Sequence, residues 1–418
     1  MSTQVTFDLK YMQSHSISNS FAKQLEYLHS VVSSKENSVY IFHDNDSDGL
    51  CSFFLFKNSY PSISGGHFIT KEVDILELAL SSIPNSTTHI LFLDTPSIDK
   101  EYLQKLTQKY HIIILDHHTI QREDIKLFEQ LTTKSKKYTF RYINPLQFNE
   151  IDSRPITFFS YILSNKSIES LQLGLIGTVS DFYITSLFKE VEENLERLKP
   201  FFQSYSFEKL QEVITILNQY ISKDPLYYLK HKEENAKLIH EFTYSSYIGT
   251  LKQFFDFIFK NTTQSHQSIQ DIEKLSIYEL LGEIHSAQIP ICHDFQKYSQ
   301  KYKKILQKSY KEHSSSSMQD RILIEHKGRT SYNRQLSEQA LYELDVKVSC
   351  SIHQKYEREF ISGSIRSISS INLHDILREI FSTFNDEVKW GGHTNASGFQ
   401  FPYKYREEFI KKFREYKF

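Results

Sequence analysis

Short apolar runs alternate with amphipathic segments along the first third of the chain. Four runs have the length of buried strands and lie at 38–42, 90–93, 112–115 and 138–143. Apolar positions that recur every three or four residues predict helices at 17–34, 49–57, 71–82, 98–109, 155–163 and 168–179. Strands that alternate with helices indicate βαβ units. The pattern therefore predicts an α/β fold whose first domain, 1–190, has a mostly parallel sheet flanked by helices.

The pattern changes beyond this first domain. Residues 191–320 are rich in Lys, Glu and aromatic residues and predict a helical insert followed by a connecting helix. The serine-rich tract at 313–317 is typical of a linker or a hairpin tip. The apolar runs of strands then return, and they predict a smaller C-terminal α/β domain at 321–418. Its strands are predicted at 321–326, 346–351 and 360–365, and its helices at 334–342 and 374–381.

Composition limits the classes of function. The formal net charge is -2, so the chain has no overall basic field, and any site for a polyanion must be local. The three cysteines form no CxxC pair, which argues against a zinc ribbon and a disulfide scaffold. No apolar run approaches the roughly 20 residues that span a bilayer. We expect no membrane partner and an intracellular location: cytoplasmic, nucleoid-associated in an archaeon, or nuclear in a eukaryote.

Acidic residues and histidines follow the predicted strands at the points where the strands end. A further aspartate follows the helix at 168–179. Because the carboxyl ends of parallel strands meet at one edge of a sheet, we expect these side chains to form one site. The residues are Asp44, Asp46, Asp48, Asp94, Asp116, His117, His118 and Asp181.

Carboxylates and imidazoles together are ligands for divalent metal ions. So many clustered anions would repel one another, and two ions about 3.5–4 Å apart relieve this repulsion and hold a phosphate between them. Mn²⁺ or Mg²⁺ suits such ligands best, and Co²⁺ or Zn²⁺ is compatible. Each residue alone also has a structural interpretation. Asp46 and Asp48 fit an Asx turn with a helix cap, and Asp181 fits an exposed loop acid.

The motifs, taken in order, resemble those of the DHH phosphoesterases that carry a DHHA1 domain. The N-terminal matches are Asp44-Asn45-Asp46-Ser47-Asp48-Gly49, Asp94, Asp116-His117-His118 and Gly177-Thr178-Val179-Ser180-Asp181. The C-terminal matches are Ser364-Ile365-Arg366-Ser367 and Gly391-Gly392-His393, with Ala396 and Gly398. The resemblance covers about 17–190 and 321–410. One departure is Trp390, which stands where the family usually has another glycine; it would stack on a base or pack between domains.

The resemblance implies a role for each matched residue. The implied metal ligands are Asp46, Asp48, Asp94, His117 and Asp181, with Asp44 as a further candidate. The implied catalytic residues are Asp116, His117 and His118, where Asp116 supports His117 and His118 contacts the scissile phosphate. The implied substrate-binding residues are His118, Arg366, Gly391, Gly392 and His393. A structural salt bridge is the alternative for Arg366.

Within the family, the chain is most similar to RecJ-like exonucleases, and among them to the archaeal group. Phe42 stands four residues before Asp46, where short family members that cut nanoRNA or cyclic dinucleotides usually have a histidine. The resemblance implies a two-metal exonuclease, with Mn²⁺ favoured, that acts on single-stranded nucleic acid. It would release nucleoside 5′-monophosphates, 5′ to 3′ on DNA being favoured and RNA remaining possible.

Two other functions stay open. The first is an oligonucleotide or cyclic-dinucleotide phosphodiesterase. The second is a replisome scaffold that binds GINS, like the inactive DHH-derived subunit of the eukaryotic helicase. The helix predicted at 295–311 bears on the substrate, because its lysines would neutralise phosphates and its tyrosines would stack on bases. An ordinary amphipathic helix with a solvated lysine face is the alternative.

Overall fold

The protein is seen here in a computed structural model. It describes residues 5–69, 80–95, 98–119, 122–134, 137–149, 151–181, 183, 187–202, 243, 247–259, 269, 271–314, 319–328, 331–355, 359–368, 371–384 and 388–417. The chain forms two compact units, 1–283 and 284–418. The finer division at residues 190 and 320 stays a prediction.

A five-stranded sheet forms the centre of the first unit. Its strands are β1 (Val39–His43), β2 (Ile63–Phe68), β3 (His89–Leu93), β4 (His111–Leu115) and β5 (Phe140–Ile143). They are ordered β2-β1-β3-β4-β5, and every neighbouring pair is parallel. All five residues of β1 and of β3 are buried, which explains why these strands read as continuous apolar runs. The predicted α/β class with a mostly parallel sheet is confirmed.

Helices surround this sheet. They are α1 (Leu9–Ser14), α2 (Asn19–Ser33), α3 (Ser47–Ser59), α4 (Lys100–Leu106), α5 (Arg122–Lys134), α6 (Ile156–Leu163), α7 (Ile168–Ser180), α8 (Phe188–Glu193), α9 (Leu195–Leu198), α10 (Tyr247–Ile258) and α11 (Ile277–Ser286). Most of the helix predicted at 71–82 lies outside the described residues. On one side of the sheet, Phe42, Phe92 and Ile114 pack with Leu103 of α4.

Strand β2 was not predicted from the sequence. It lies at the edge of the sheet, and its segment Ile63-Ser64-Gly65-Gly66-His67-Phe68 lacks an apolar run. A Cβ at Gly66 would lie 2.4 Å from the ring of Phe53, so close packing against α3 requires glycine at this position. Packing thus requires a glycine in β2, and a glycine weakens the sequence pattern by which a strand is predicted.

A mixed five-stranded sheet forms the second unit. Its strands are β6 (Arg321–Gly328), β7 (Val348–Lys355), β8 (Phe360–Ser367), β9 (Lys389–His393) and β10 (Ala396–Pro402), ordered β6-β7-β8-β10-β9. Only the pair of β6 and β7 is parallel. The helices are α12 (Pro290–Ser314), α13 (Asn333–Glu343), α14 (Leu373–Phe381) and α15 (Arg406–Glu415). The predicted smaller C-terminal α/β domain is confirmed. None of the helices described here is long and apolar enough to cross a membrane.

The aromatic residues of α12 face inward. Tyr298 is buried and donates a hydrogen bond to Gln335 Oε1 at 2.9 Å, and Tyr302 is buried and donates to Gln339 Oε1. These tyrosines hold α12 against α13, so they are not exposed for stacking on bases. The lysines of the helix are exposed, which leaves a cationic surface without the aromatic residues that the sequence suggested.

Candidate metal centre

Three of the aspartates continue the parallel sheet by one residue. The backbone N–H of Asp44 donates to Leu93 O at 3.2 Å, that of Asp94 to Leu115 O at 3.0 Å, and that of Asp116 to Ile143 O at 3.1 Å. Each aspartate is thus held against the last carbonyl of the neighbouring strand. Parallel pairing brings the three residues to one sheet edge, where the strand-end pattern predicted them.

The loop between β1 and α3 carries the other two aspartates of the first motif. Asp46 caps α3, and its carboxylate accepts the N–H of Gly49 at 3.1 Å. A Cβ at Gly49 would lie 2.7 Å from the carbonyl oxygen of Asp44, so only glycine permits the loop to close this tightly. The helix-cap interpretation of Asp46 is therefore correct, and it coexists with membership of the acidic cluster.

Asp48 points away from its own helix toward the start of α6. Its carboxylate accepts the N–H groups of Ile156 at 2.9 Å and Thr157 at 2.8 Å, and the hydroxyl of Thr157. Helix α6 has no side-chain cap of its own, so Asp48 satisfies its first amides from 108 residues away. The sequence did not indicate this contact, because no local pattern pairs a strand-end loop with a distant helix.

The segment immediately before α6 orients His117. The Nδ1–H of His117 donates to the carbonyl of Ser153 at 3.1 Å. The next residue, Arg154, is fully buried; it pairs with Asp152 at 2.5 Å and donates to His15 O at 2.7 Å. Residues 152–157 thus support both His117 and Asp48. Sequence reasoning missed this segment, although a lone arginine beside a proline and an apolar helix was a visible signal.

All the predicted metal ligands come together. His117 Nε2 lies 3.2 Å from Asp94 Oδ1, 3.4 Å from Asp181 Oδ2 and 3.7 Å from Asp48 Oδ2. Three overlapping groups have ligand atoms within 4.8 Å of one another: Asp94 with His117 and His118, Asp48 with His117 and Asp181, and Asp44 with Asp46 and Asp94. Asp94 and His117 each belong to two groups, so the groups form one connected cluster.

The donor atoms of this cluster fit a cation. Asp94 Oδ1 and His117 Nε2 are buried and make no hydrogen bond within the described part of the chain, although they lie 3.2 Å apart. Because Nδ1 carries the proton that Ser153 accepts, Nε2 of a neutral ring presents a lone pair to the carboxylates. A lone pair that faces carboxylate oxygens is repulsive unless a proton or a metal cation lies among them.

Burial and mutual repulsion disfavour the ionised form of several carboxylates in the cluster. Burial raises the pKa of Asp48 and of Asp94 well above the usual value, and neighbouring aspartates raise each pKa further. Burial, followed by the charge of Asp46, raises the pKa of Asp44 to about 7. A divalent ion would reverse this by stabilising the ionised carboxylates.

The structure corrects the expected partner of Asp116. Its carboxylate accepts Nδ1–H of His118 at 2.9 Å and the hydroxyl of Tyr142 at 3.0 Å, so it supports His118 rather than His117. Burial lowers the pKa of His118, but the hydrogen bond and charge of Asp116 outweigh burial and raise that pKa to about 9. The side chain of His118 is 37 % exposed, which leaves it accessible from solvent.

The predicted substrate-binding residues lie on the sheet of the second unit. Arg366 of β8, Ala396 of β10 and His393 of β9 occupy one register row across three strands. Gly398 and Gly391 form the next row on the same face, and both are exposed. A Cβ at Gly391 would meet nothing within 4 Å, so this part of the sheet is open. Gly392 is the residue of β9 between Gly391 and His393.

Trp390 lies at the edge of the opposite face. It pairs with Phe399, whose ring belongs to the buried core of the second unit, and its own ring lies 5.4 Å from that of His374. Because Phe399 and Ala396 are three residues apart, their rows face opposite sides of the sheet. The ring of Trp390 therefore packs partly within the second unit, and with 37 % of the residue exposed it is also partly open to solvent.

Comparison with known proteins identifies the C-terminal part of the chain. Residues 329–417 match the DHHA1 domain family. No curated protein sequence matches the chain.

Solved structures extend the comparison to the whole chain. RecJ from Thermus thermophilus in complex with Mn²⁺ is 12 % identical, with a TM-score of 0.52 over 93 % of this chain and 53 % of that one. A DHH-domain structure described as a member of the s1p family of ribosomal proteins is 12 % identical, with a TM-score of 0.50 over 99 % and 93 %. CDC45 from Entamoeba histolytica is 10 % identical, with a TM-score of 0.46 over 95 % and 98 %. The first two share the fold of this chain, which spans about half the length of the Thermus RecJ.

Proposed function

We propose that this chain, a DHH/DHHA1 protein with the RecJ-like fold, is a metal-dependent exonuclease on single-stranded nucleic acid. The observation that carries the proposal is the arrangement around His117. Its Nδ1 is bound to a backbone carbonyl, and its Nε2 faces carboxylates of Asp48, Asp94 and Asp181. Such a cluster has the composition of a phosphodiesterase metal centre.

We propose that the cluster holds two divalent ions. The ligands would be Asp44, Asp46, Asp48, Asp94, His117 and Asp181. Asp94 belongs to two of the ligand groups and would help to hold both ions. Mn²⁺ is the favoured metal, with Mg²⁺ or Co²⁺ also compatible with carboxylate and imidazole ligands. When bound, these ions would polarise the phosphodiester and lower the pKa of an attacking water.

The chain's own residues would orient the reacting groups. Ser153 fixes the ring of His117 through Nδ1, and the amides of α6 fix the carboxylate of Asp48. Asp116 fixes the ring of His118, whose accessible side chain lies 3.7 Å from Asp94 and would contact the scissile phosphate. These contacts would limit the freedom of the ligands before substrate arrives, which lowers the cost of reaching the reactive geometry.

The second unit would bind the sugar-phosphate chain of the substrate. Arg366 offers a cation beside the open rows of Gly391 and Gly398, where a phosphate or sugar can approach the backbone closely. His393, in the same row as Arg366, would complete this surface, and Gly392 would contribute its backbone. The exposed lysines of α12 favour a strand of several nucleotides over a dinucleotide, because a longer strand offers more phosphates. The proposed products are nucleoside 5′-monophosphates, with 5′ to 3′ degradation of DNA favoured.

End-labelled oligonucleotides test this proposal. Single strands of about twenty nucleotides, long enough to cover several phosphate contacts, would be labelled at the 5′ or 3′ end and prepared as DNA and as RNA. They would be incubated with Mn²⁺, with Mg²⁺ and with EDTA. We expect mononucleotide release from one end, dependent on metal. The end from which mononucleotides are released gives the polarity of degradation. The rates on DNA and on RNA give the preference for the sugar.

Variants link the activity to the cluster. His117→Ala and Asp181→Asn should each lower the rate by more than about 100-fold, because each removes a metal ligand. Asp99→Asn is the matched control, since the contacts described for the carboxylate of Asp99 are those of the α4 cap and asparagine is also a good cap. Cleavage of dinucleotides alone would favour the small-substrate phosphodiesterase. Absence of all cleavage, together with co-purification of GINS subunits, would favour the scaffold.

A further inference from the structure

We propose that helix α10 of the insert holds the metal-binding loop in its ligating conformation through a Ser47–Asp256–Lys252 link. The inference rests on the proposed metal centre and assigns a role to a region whose sequence carries no motif. Lys252 is 2 % exposed, and its Nζ lies 3.3 Å from Asp256 Oδ2 one helical turn away. Ser47 is fully buried and donates its Oγ–H to Asp256 Oδ1 at 2.9 Å.

The contact between Ser47 and Asp256 affects the metal-binding loop because of where Ser47 lies in it. Ser47 lies directly between Asp46 and Asp48, two of the proposed ligands, and is the first residue of α3. A second contact of Ser47 Oγ, at 3.4 Å, is with the carbonyl of Lys252. The loop is thus fixed on one side by α10 and on the other by the close approach of Gly49 to the Asp44 backbone. Small displacements of Ser47 would move the carboxylates on both sides of it.

Packing alone gives no reason for a charged pair here. Helix α10 already buries Leu251, Phe255 and Ile258, and the ring of Phe255 lies 6.3 Å from that of Phe54 in α3. Replacing a buried ion pair by apolar residues is often neutral or stabilising, so the pair is weak evidence for stability. It does provide directional acceptors. Asp256 presents one oxygen to Lys252 and the other to Ser47, which fixes the loop in a way that apolar contacts do not.

Mn²⁺ binding without substrate measures the effect directly. Ser47→Ala removes the hydroxyl and keeps Asp256 paired with Lys252, so we expect Mn²⁺ affinity to fall by about 10-fold or more. Asp256→Asn keeps an acceptor for Ser47 and should bind Mn²⁺ more tightly than Asp256→Ala. The double variant Ser47→Ala/Asp256→Ala should bind no more weakly than Asp256→Ala, because both substitutions break one link. Isothermal titration calorimetry on the full chain provides the affinities.

Ser59→Ala is the matched control for the lost hydroxyl. Ser59 is a buried serine at the other end of α3, where its Oγ accepts the N–H of Asn165 at 3.1 Å. We expect Mn²⁺ affinity to be unchanged in this variant. Equal Mn²⁺ affinity in Ser47→Ala and Ser59→Ala would overturn the inference and leave the metal centre intact. A wild-type chain that binds no Mn²⁺ would instead overturn the proposed function, so the two failures are distinguishable.

Thermal unfolding in EDTA separates positioning from folding. If Ser47→Ala and Asp256→Asn unfold at the wild-type temperature yet differ in Mn²⁺ affinity, the link acts on the metal loop. If Ser47→Ala fails to fold, Asp256→Asn and Asp256→Ala still provide the comparison. Loss of affinity that merely follows the loss of stability in all variants would also contradict the inference.

Discussion

Asp94 is held in a conformation that its own sequence context does not favour. Its φ of 59° lies in the left-handed region, where residues other than glycine are uncommon and asparagine and aspartate are best tolerated. The side chain is 2 % exposed and surrounded by other carboxylates. Backbone strain and buried like charges both cost stability, and such costs concentrate at functional sites. This residue therefore supports a metal centre more strongly than an exposed acidic cluster would.

The substitution Asp94→Asn tests whether Asp94 is a metal ligand. It keeps a side chain suited to the left-handed region and removes one buried charge, so thermal stability in EDTA should be unchanged or higher than in the wild type. Excess Mn²⁺ at about 100 times its dissociation constant should stabilise the wild type by about 2.7 kcal/mol and the variant much less. Differential scanning fluorimetry with EDTA and with Mn²⁺ measures both effects.

Asp99→Asn is again the control and should retain the full Mn²⁺-induced shift. A large loss of stability in metal-free Asp94→Asn would indicate that Asp94 is a structural residue. An undiminished Mn²⁺ shift in that variant would show that Asp94 is not a ligand.

At the level of elements, packing between α6 and α7 determines where Asp48 can lie. A Cβ at Gly177 would lie 2.2 Å from Thr157 Oγ1 and 2.7 Å from Thr157 Cβ. The hydroxyl of Thr157 bonds the carboxylate of Asp48, so Gly177 keeps room for a residue that positions a proposed ligand. The glycine of the Gly177–Asp181 motif thus acts at a distance from the metal centre, through helix packing.

Gly177→Ala should disturb both stability and metal binding. The added methyl must displace Thr157, which we expect to cost about 1–3 kcal/mol in the free energy of unfolding and to weaken Mn²⁺ affinity. Gly282→Ala in α11 is the matched control, since a Cβ there would meet nothing within 4 Å. Because alanine favours helix over glycine, the control should be stabilised by about 0.5–1 kcal/mol. Urea unfolding and Mn²⁺ titration provide the two quantities; wild-type values for Gly177→Ala would refute the argument.

At the level of the whole molecule, charge is unevenly distributed along a chain that is nearly neutral. Lysines 297, 301, 304, 308 and 311 recur every three or four residues on the exposed side of α12. This helix has the acidic residues Asp294 and Glu312, and Glu312 pairs with Lys308 at 3.7 Å. Tyr298 and Tyr302, which accompany these lysines in sequence, are buried against α13, and the half-buried Tyr310 donates its hydroxyl to Glu343 Oε2 at 2.6 Å. Any contribution of α12 to nucleic-acid binding is therefore electrostatic.

The salt dependence of binding measures this contribution. The triple variant Lys297→Gln/Lys304→Gln/Lys308→Gln should lower the slope of log affinity against log salt by about 2 in magnitude, since each phosphate contact on a single strand contributes about 0.7. Binding would be measured by fluorescence anisotropy in EDTA, so that no cleavage occurs. Lys10→Gln/Lys23→Gln/Lys35→Gln removes three exposed lysines of the first unit and should leave the slope unchanged. Equal slopes in the two triple variants would identify the lysines of α12 as an ordinary solvated surface.

Local patterns in the sequence determined the elements and the candidate ligands. The apolar runs predicted β1, β3, β4 and β5, because buried parallel strands need continuous apolar residues. The polar residues at their ends predicted one site, because parallel strands end at one sheet edge. Strand β2 and the hairpin of β9 and β10 were not predicted as strands. Glycines interrupt the alternating pattern of these segments: Gly66 lies where packing is close, and Gly391 lies where the surface is open.

Only the tertiary structure decided which partner each of these side chains has. Asp116 bonds His118 rather than supporting His117, whose ring is fixed by Ser153 instead. Asp48 binds amides 108 residues away, and Ser47 binds Asp256 209 residues away. Hydrogen-bond partners at such separations are set by how the helices pack on the sheet, and no local periodicity records that packing. The sequence by itself therefore predicted which residues form the acidic cluster of the proposed metal centre, and the fold determined the residues that hold them.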